Sequence, residues 1–119
     1  MPTGDEHVAK AEGNQEVYDL LDTASQSRID WKLTIAFYTA MHYVEAYLAK
    51  DRDEHLRSHT TRDRCVAQDS ELRKVQIEYA HLKYFGYNAR YERPQFTARN
   101  VREAEGYLTA LKTHLLRLL

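Results

Sequence analysis

Apolar residues recur along this chain every three or four positions and show no convincing period of two. That spacing predicts helices and no sheet. A first helix is predicted over residues 5 to about 23, with Val17, Leu20 and Leu21 as its apolar face and a weak start around Gly13. "TASQSRID" interrupts it, and Ser27 with Asp30 resembles a capping box opening a second helix over residues 28 to 50. In that helix Phe37, Met41, Val44 and Leu48 form one stripe, and Trp31, Ile35, Tyr38 and His42 form a second beside it. A helix apolar on two faces lies deep in a bundle or at a subunit contact.

"DRDEHLRSH" reads as a polar connection, and "TTRDRCVAQ" as a short helix packing through Cys65 and Val66. A long helix over residues 71 to 91 places Leu72, Val75, Tyr79, Leu82, Gly86 and Ala89 on one face, with Pro94 as its stop. Thr97 caps a last helix whose face is Val101, Ala104, Leu108, Leu111, Leu115 and Leu118. The expectation is an all-α, up-down four-helix bundle with an additional short helix, forming a single domain over residues 1–119.

Composition narrows the chemistry. Four glycines and two prolines favour long helices over many turns. The net charge of −1 gives no global attraction to nucleic acid or to an anionic membrane. Cys65 is the one cysteine and cannot form an internal disulfide, which fits a reducing cytoplasm. "MPTGDEHVAK" is acidic and does not read as a secretory signal, and no stretch is apolar enough to span a membrane. Nine tyrosines against three phenylalanines suggest rings that keep a polar tip near water or a partner.

Charge is unevenly placed. Asp5, Glu6, Glu12, Glu16, Asp19 and Asp22 crowd the first 22 residues. Residues 83–102 instead carry Lys83, Arg90, Arg93, Arg99 and Arg102, interleaved with Tyr84, Phe85, Tyr87, Tyr91 and Phe96. Cations that meet phosphates beside rings that stack on bases are the chemistry of single-stranded RNA binding. The plainer reading is a solvated helix end whose tyrosines pack partly inward.

Metal sites find little support. Glu78 and His81 supply one Glu-x-x-His pair of the two that a di-iron bundle needs, and His42 and Glu45 give only the reversed order. A single cysteine and scattered histidines lack zinc-ligand spacing. No metal and no cofactor is therefore expected. His42 and Glu45 stand three apart on a helix and can touch, either as a satisfied core pair or as a cleft pair. His59 lies in "RSHTTR" with Arg57 and Arg62 close by, either as a capping residue or as a proton-transfer group in a cationic phosphate pocket.

Taken together, "W…IAFYTAMHYVEAYLAK", "SHTTR", "EYAHLKYFGYNARY" and the terminal amphipathic helix resemble the HEPN domain (higher eukaryotes and prokaryotes nucleotide-binding) over roughly residues 28–119. The matching points are the Tyr-x-x-x-His-x-x-Glu-Ala phrase, the Ser-His opening of the next helix and the Ala-Arg-Tyr ending of the fourth. The resemblance, to small stand-alone prokaryotic members, implies an up-down bundle, a symmetric homodimer with a cleft at its interface, and RNA-linked work. Many members are metal-independent ribonucleases of toxin–antitoxin or defence systems, and others are non-catalytic binding modules. Catalytic members carry Arg-x4-6-His near the fourth helix. Here "RNVREA" has Ala104 where that histidine would stand, while Arg52 and His59 match the spacing in the connection before the short helix.

The resulting expectation is an RNA- or nucleotide-binding domain, with an antitoxin or nucleotidyltransferase as a further partner. Its candidate catalytic residues are His59, Arg62, His42 and Glu45. Its candidate RNA-binding residues are Tyr38, Arg52, Arg90, Tyr91 and Arg93. The alternative is a non-catalytic helical module for protein–protein interaction.

Overall fold

A computed structural model describes residues 2–51, 58–91 and 96–119, and among them every element is helical. Five α-helices occur in the order α1 (Gly4–Leu20), α2 (Gln26–Asp51), α3 (His59–Gln68), α4 (Gln76–Tyr91) and α5 (Ala98–Leu118). A 3₁₀ turn, Leu72–Val75, joins α3 to α4, so the helix expected over residues 71 to 91 is α-helical only from Gln76.

Side-chain pairs fix the directions. His7 meets His42 and Tyr18 meets Lys32, so α1 runs antiparallel to α2. Tyr47 near the end of α2 donates to Asp69 ahead of α4, while Arg90 at the other end of α4 lines one hollow with Ser27 and Asp30, so α4 is antiparallel to α2. His81 stacks on Tyr107 while His114 reaches the carbonyl of Glu71, so α5 is antiparallel to α4. Four long helices thus alternate up and down, and α3 crosses between α2 and α4.

α2 is the centre. It is 26 residues long and buries fourteen of them, including Leu33, Phe37, Ala40, Val44 and Leu48. The close approach of α4 is set by Gly86, where an added Cβ would lie 2.5 Å from the Cβ of Phe37. α5 buries Val101, Ala104, Leu108, Leu111 and Leu115, the three-four spacing expected of a one-sided helix.

Three further local expectations are corrected. The apolar face of α1 is not Val17, Leu20 and Leu21. Val17 is exposed and Leu20 is 85 % exposed, while Gly4, His7, Ala11 and Tyr18 face inward. Each residue turns the helix by about 100°, so committing Tyr18 to the core rotates Leu20 to the far side. Tyr18 wins because its ring packs under the Lys32 ammonium at 3.9 Å and its hydroxyl donates to Glu105 at 2.7 Å. Small Gly4 lets the stem of Lys50 lie against the backbone.

Secondly, α2 starts earlier than expected. Ser25, not Ser27, accepts the Arg28 amide at 3.2 Å. Buried Lys32 donates to the carbonyls of Tyr18 and Leu21 at 3.1 and 2.8 Å, which satisfies the end of α1. Thirdly, Trp31 is 60 % exposed and does not join a buried stripe. The expected caps Ser58 and Thr97 do stand at the starts of α3 and α5: Ser58 Oγ accepts the Thr61 amide at 3.1 Å, and Thr97 forms a capping box with Asn100. Pro94 lies outside the described residues. Among the described residues no helix is long and apolar enough to cross a membrane.

Candidate functional site

His42 and Glu45 are adjacent turns of α2, yet each finds a partner on a different helix. Glu45 Oε1 receives the Arg62 Nε–H of α3 at 2.6 Å, and the two side chains are only 4 % and 6 % exposed. His42 Nδ1 lies 3.0 Å from Nδ1 of His7 on α1. A hydrogen bond between two Nδ1 atoms needs one to carry the proton and the other to be bare. Burial, followed by the positive potential of His7, Lys10 and Arg62, pushes the His42 pKa down to about 4. The imidazole is therefore neutral near pH 7. The expected His42–Glu45 couple is replaced by two interhelical pairs, His42 with His7 and Glu45 with Arg62.

Arg62 is a candidate catalytic cation in the sequence reading. Its burial against Glu45 makes it a tie between α2 and α3 instead, because an enclosed guanidinium needs a charge-assisted partner. One amino group still points outward, and Nη1 donates to Nδ1 of His59 at 3.0 Å. A guanidinium can only donate, so Nδ1 of His59 is the acceptor and the neutral ring carries its proton on Nε2. Burial first, and then Arg62, Lys83 and Arg90, lower the His59 pKa, while Asp63 opposes them. The ring of Phe37, 5.8 Å away, forms the floor beneath His59.

α4 supplies the facing wall. Lys83 is ion-paired with Asp63 of α3. Arg90 donates to the hydroxyl of Tyr38 and lies 5.0 Å from that ring's centre. The Tyr79 hydroxyl is buried near Arg62. Its burial raises its pKa above the ordinary phenol range. A hollow of about 440 Å³ opens beside this group, lined by Asp63, Val66, Tyr79, Lys83, Tyr84 and Tyr87. Tyr84 and Tyr87 are exposed along its edge.

The structure thus gathers His59, Arg62, Tyr38 and Arg90 from the expected set into one patch at the α2–α3–α4 junction. It sets His42 apart on the α1 side and encloses Glu45 as the counter-ion of Arg62. Arg52, Arg93 and the side chain of Tyr91 lie outside the described residues. Two contributors escaped the sequence reading. Asp63 anchors Lys83, and Phe37 supports His59, but neither relation follows a local spacing. His7 was legible in principle, since Gly4, His7, Ala11 and Tyr18 recur at helical intervals.

Chemically, the patch offers an imidazole N–H, an ammonium and a guanidinium beside exposed tyrosine rings. Such a set can hold a phosphate and stack an adjoining base. With Nδ1 engaged by Arg62, His59 presents a donor to a ligand, not a base. Among the described residues no three His, Cys, Asp or Glu side chains converge as a metal-ligand set. Compared with protein-family models, with curated proteins and with solved structures, the chain matches none of them.

Proposed function

We propose that this chain is a HEPN-like domain that binds single-stranded RNA through the patch formed by His59, Lys83 and Arg90. The observation that carries the reading is the convergence of these donors from α3 and α4 around one neutral histidine, beside exposed Tyr84 and Tyr87. The net charge of −1 makes the attraction local, so the RNA backbone is held first at the cations of α4. Arg62 orients His59, and Glu45 keeps Arg62 in place.

Binding is the primary activity in this reading. Cleavage of the RNA would require His59 to take the proton of a 2′-hydroxyl, and its bare nitrogen is occupied by Arg62. A ribonuclease would therefore have to release that bond when RNA enters, after which Lys83 and Arg90 would stabilise the phosphorane. The homodimer and the toxin–antitoxin or defence setting belong to the same HEPN-like reading. A second reading, a module that docks another protein, is favoured by the exposed Leu20, Ile77 and Leu116.

Incubating the protein with a mixed RNA pool in EDTA separates these cases. The proposal expects RNA to be retained by the protein and to remain intact. Cleavage that persists in EDTA and is lost in His59→Ala would identify a ribonuclease. The absence of any retained or cleaved RNA would favour the protein-docking module.

A further inference from the structure

Trp31 projects from the most buried helix of the fold, yet its indole is 60 % exposed. It is the chain's one tryptophan. Two adjoining hollows of about 270 and about 390 Å³ meet there and share Trp31, Thr34 and Arg90. The larger is bounded by Lys10 and Asn14 of α1 and by Tyr38 and His42 of α2. The smaller ends at Asp30, whose carboxylate accepts from Gln26 at 2.9 Å. Arg90 also belongs to the His59 patch, so it stands where the patch and this groove join.

The chemistry of the walls selects the occupant. A flat indole edged by an ammonium and a guanidinium suits an aromatic ring that carries an anion. An amphipathic peptide helix would need a continuous apolar trough. Lys10, Asn14, Thr34, His42 and Arg90 interrupt this one. We propose that the groove is a base-stacking subsite for single-stranded RNA, with one base on Trp31 and the neighbouring phosphates on Arg90 and Lys10. The inference rests on the RNA-binding reading above and extends the RNA path beyond Arg90, from α4 across α2 to α1.

The lone tryptophan reports on its own site. Wild-type protein is titrated with a short oligoadenylate RNA while indole emission is followed, and in parallel the anisotropy of the same RNA carrying a fluorescein is recorded. Emission should fall in step with the rise in anisotropy. Trp31→Ala should weaken binding about tenfold or more, and Trp31→Tyr should restore most of the affinity. Since the indole is exposed, both variants should melt with the wild type.

RNA that binds by anisotropy, with constant indole emission and full affinity in Trp31→Ala, would overturn this subsite and leave the His59 patch standing. RNA that binds neither way would overturn both. Indole emission that depends on protein concentration alone, with light scattering falling from dimer to monomer in Trp31→Ala, would show the groove covered by a second copy and would also overturn the proposal.

Discussion

Replacing Glu45 by alanine strands the Arg62 guanidinium in a site where the two side chains are 4 % and 6 % exposed. The contact is a 2.6 Å charge-assisted bond, and Arg62 has lost nearly all of its water. Its donor bond to neutral His59 does not neutralise the charge. Breaking a buried pair from one side costs about 3–5 kcal/mol, because the partner stays enclosed and uncompensated. At about 4 °C per kcal/mol for a chain of this size, the melting temperature should fall by about 12–20 °C. Arg62→Ala should cost a similar amount by leaving the carboxylate. The double variant Glu45→Leu/Arg62→Met removes both charges and fills the space, so it should be more stable than either single variant. Urea denaturation with far-UV circular dichroism measures all four proteins in one cycle. If both single variants melt within about 2 °C of the wild type, the pair is solvated in solution and Arg62 is free to serve the ligand directly. If the double variant is the least stable, the loss comes from packing and not from charge.

His42 makes stability depend on pH. Its folded pKa, about 4, lies below the ordinary 6.5, so only the unfolded chain gains a proton between these values. Stability should be flat above pH 7 and fall by about 1–2 kcal/mol toward pH 5, allowing for its partial exposure. A His42→Asn variant should lose most of that slope in denaturant melts, and an unchanged slope would contradict the assignment. Gly86→Ala should destabilise by about 1–3 kcal/mol, since its methyl group would press on the Cβ of Phe37, and a melt equal to wild type would show that α4 can move away. His59→Ala should cost about 1 kcal/mol, through the lost acceptor of Arg62, while weakening RNA binding, and a loss as large as that of Glu45→Ala would make His59 structural. RNA affinity should fall as salt rises, and Arg90→Ala should flatten the log–log slope by about 0.7, as expected for one lost phosphate contact. Salt-insensitive binding would exclude the phosphate role.

The periodic signals on α2, α4 and α5 were legible because Phe37, Val44 and Leu48, then Tyr79, Leu82 and Gly86, then Val101 through Leu115 are buried at three- and four-residue spacings. Val101 through Leu115 needed no tertiary knowledge to place. α1 was misread because its inward face is built from Gly4, His7 and Ala11, residues that a hydrophobic count passes over. Its rotation is decided by Lys32 and Glu105 on other helices. The same reason hid the true partners of His42 and Glu45. Local spacing put them within reach of each other, but only packing could bring His7 and Arg62 closer. Trp31 shows the converse: its place in an apolar stripe suggested burial, while α1 and α4 leave it open at a groove.

The central claim is that Lys83 and Arg90, beside His59, hold single-stranded RNA. Its most direct test is fluorescence anisotropy of a labelled single-stranded RNA, in EDTA and at low salt, with wild type and the Lys83→Ala/Arg90→Ala double variant. Asp63 pairs with Lys83 at a partly exposed position and Arg90 is only half-buried, so circular dichroism should show the double variant folded. The account predicts saturable binding by the wild type and at least a tenfold loss in the folded double variant, an effect of about 1.4 kcal/mol. Equal affinity of the two proteins, or no binding by the wild type, would contradict it.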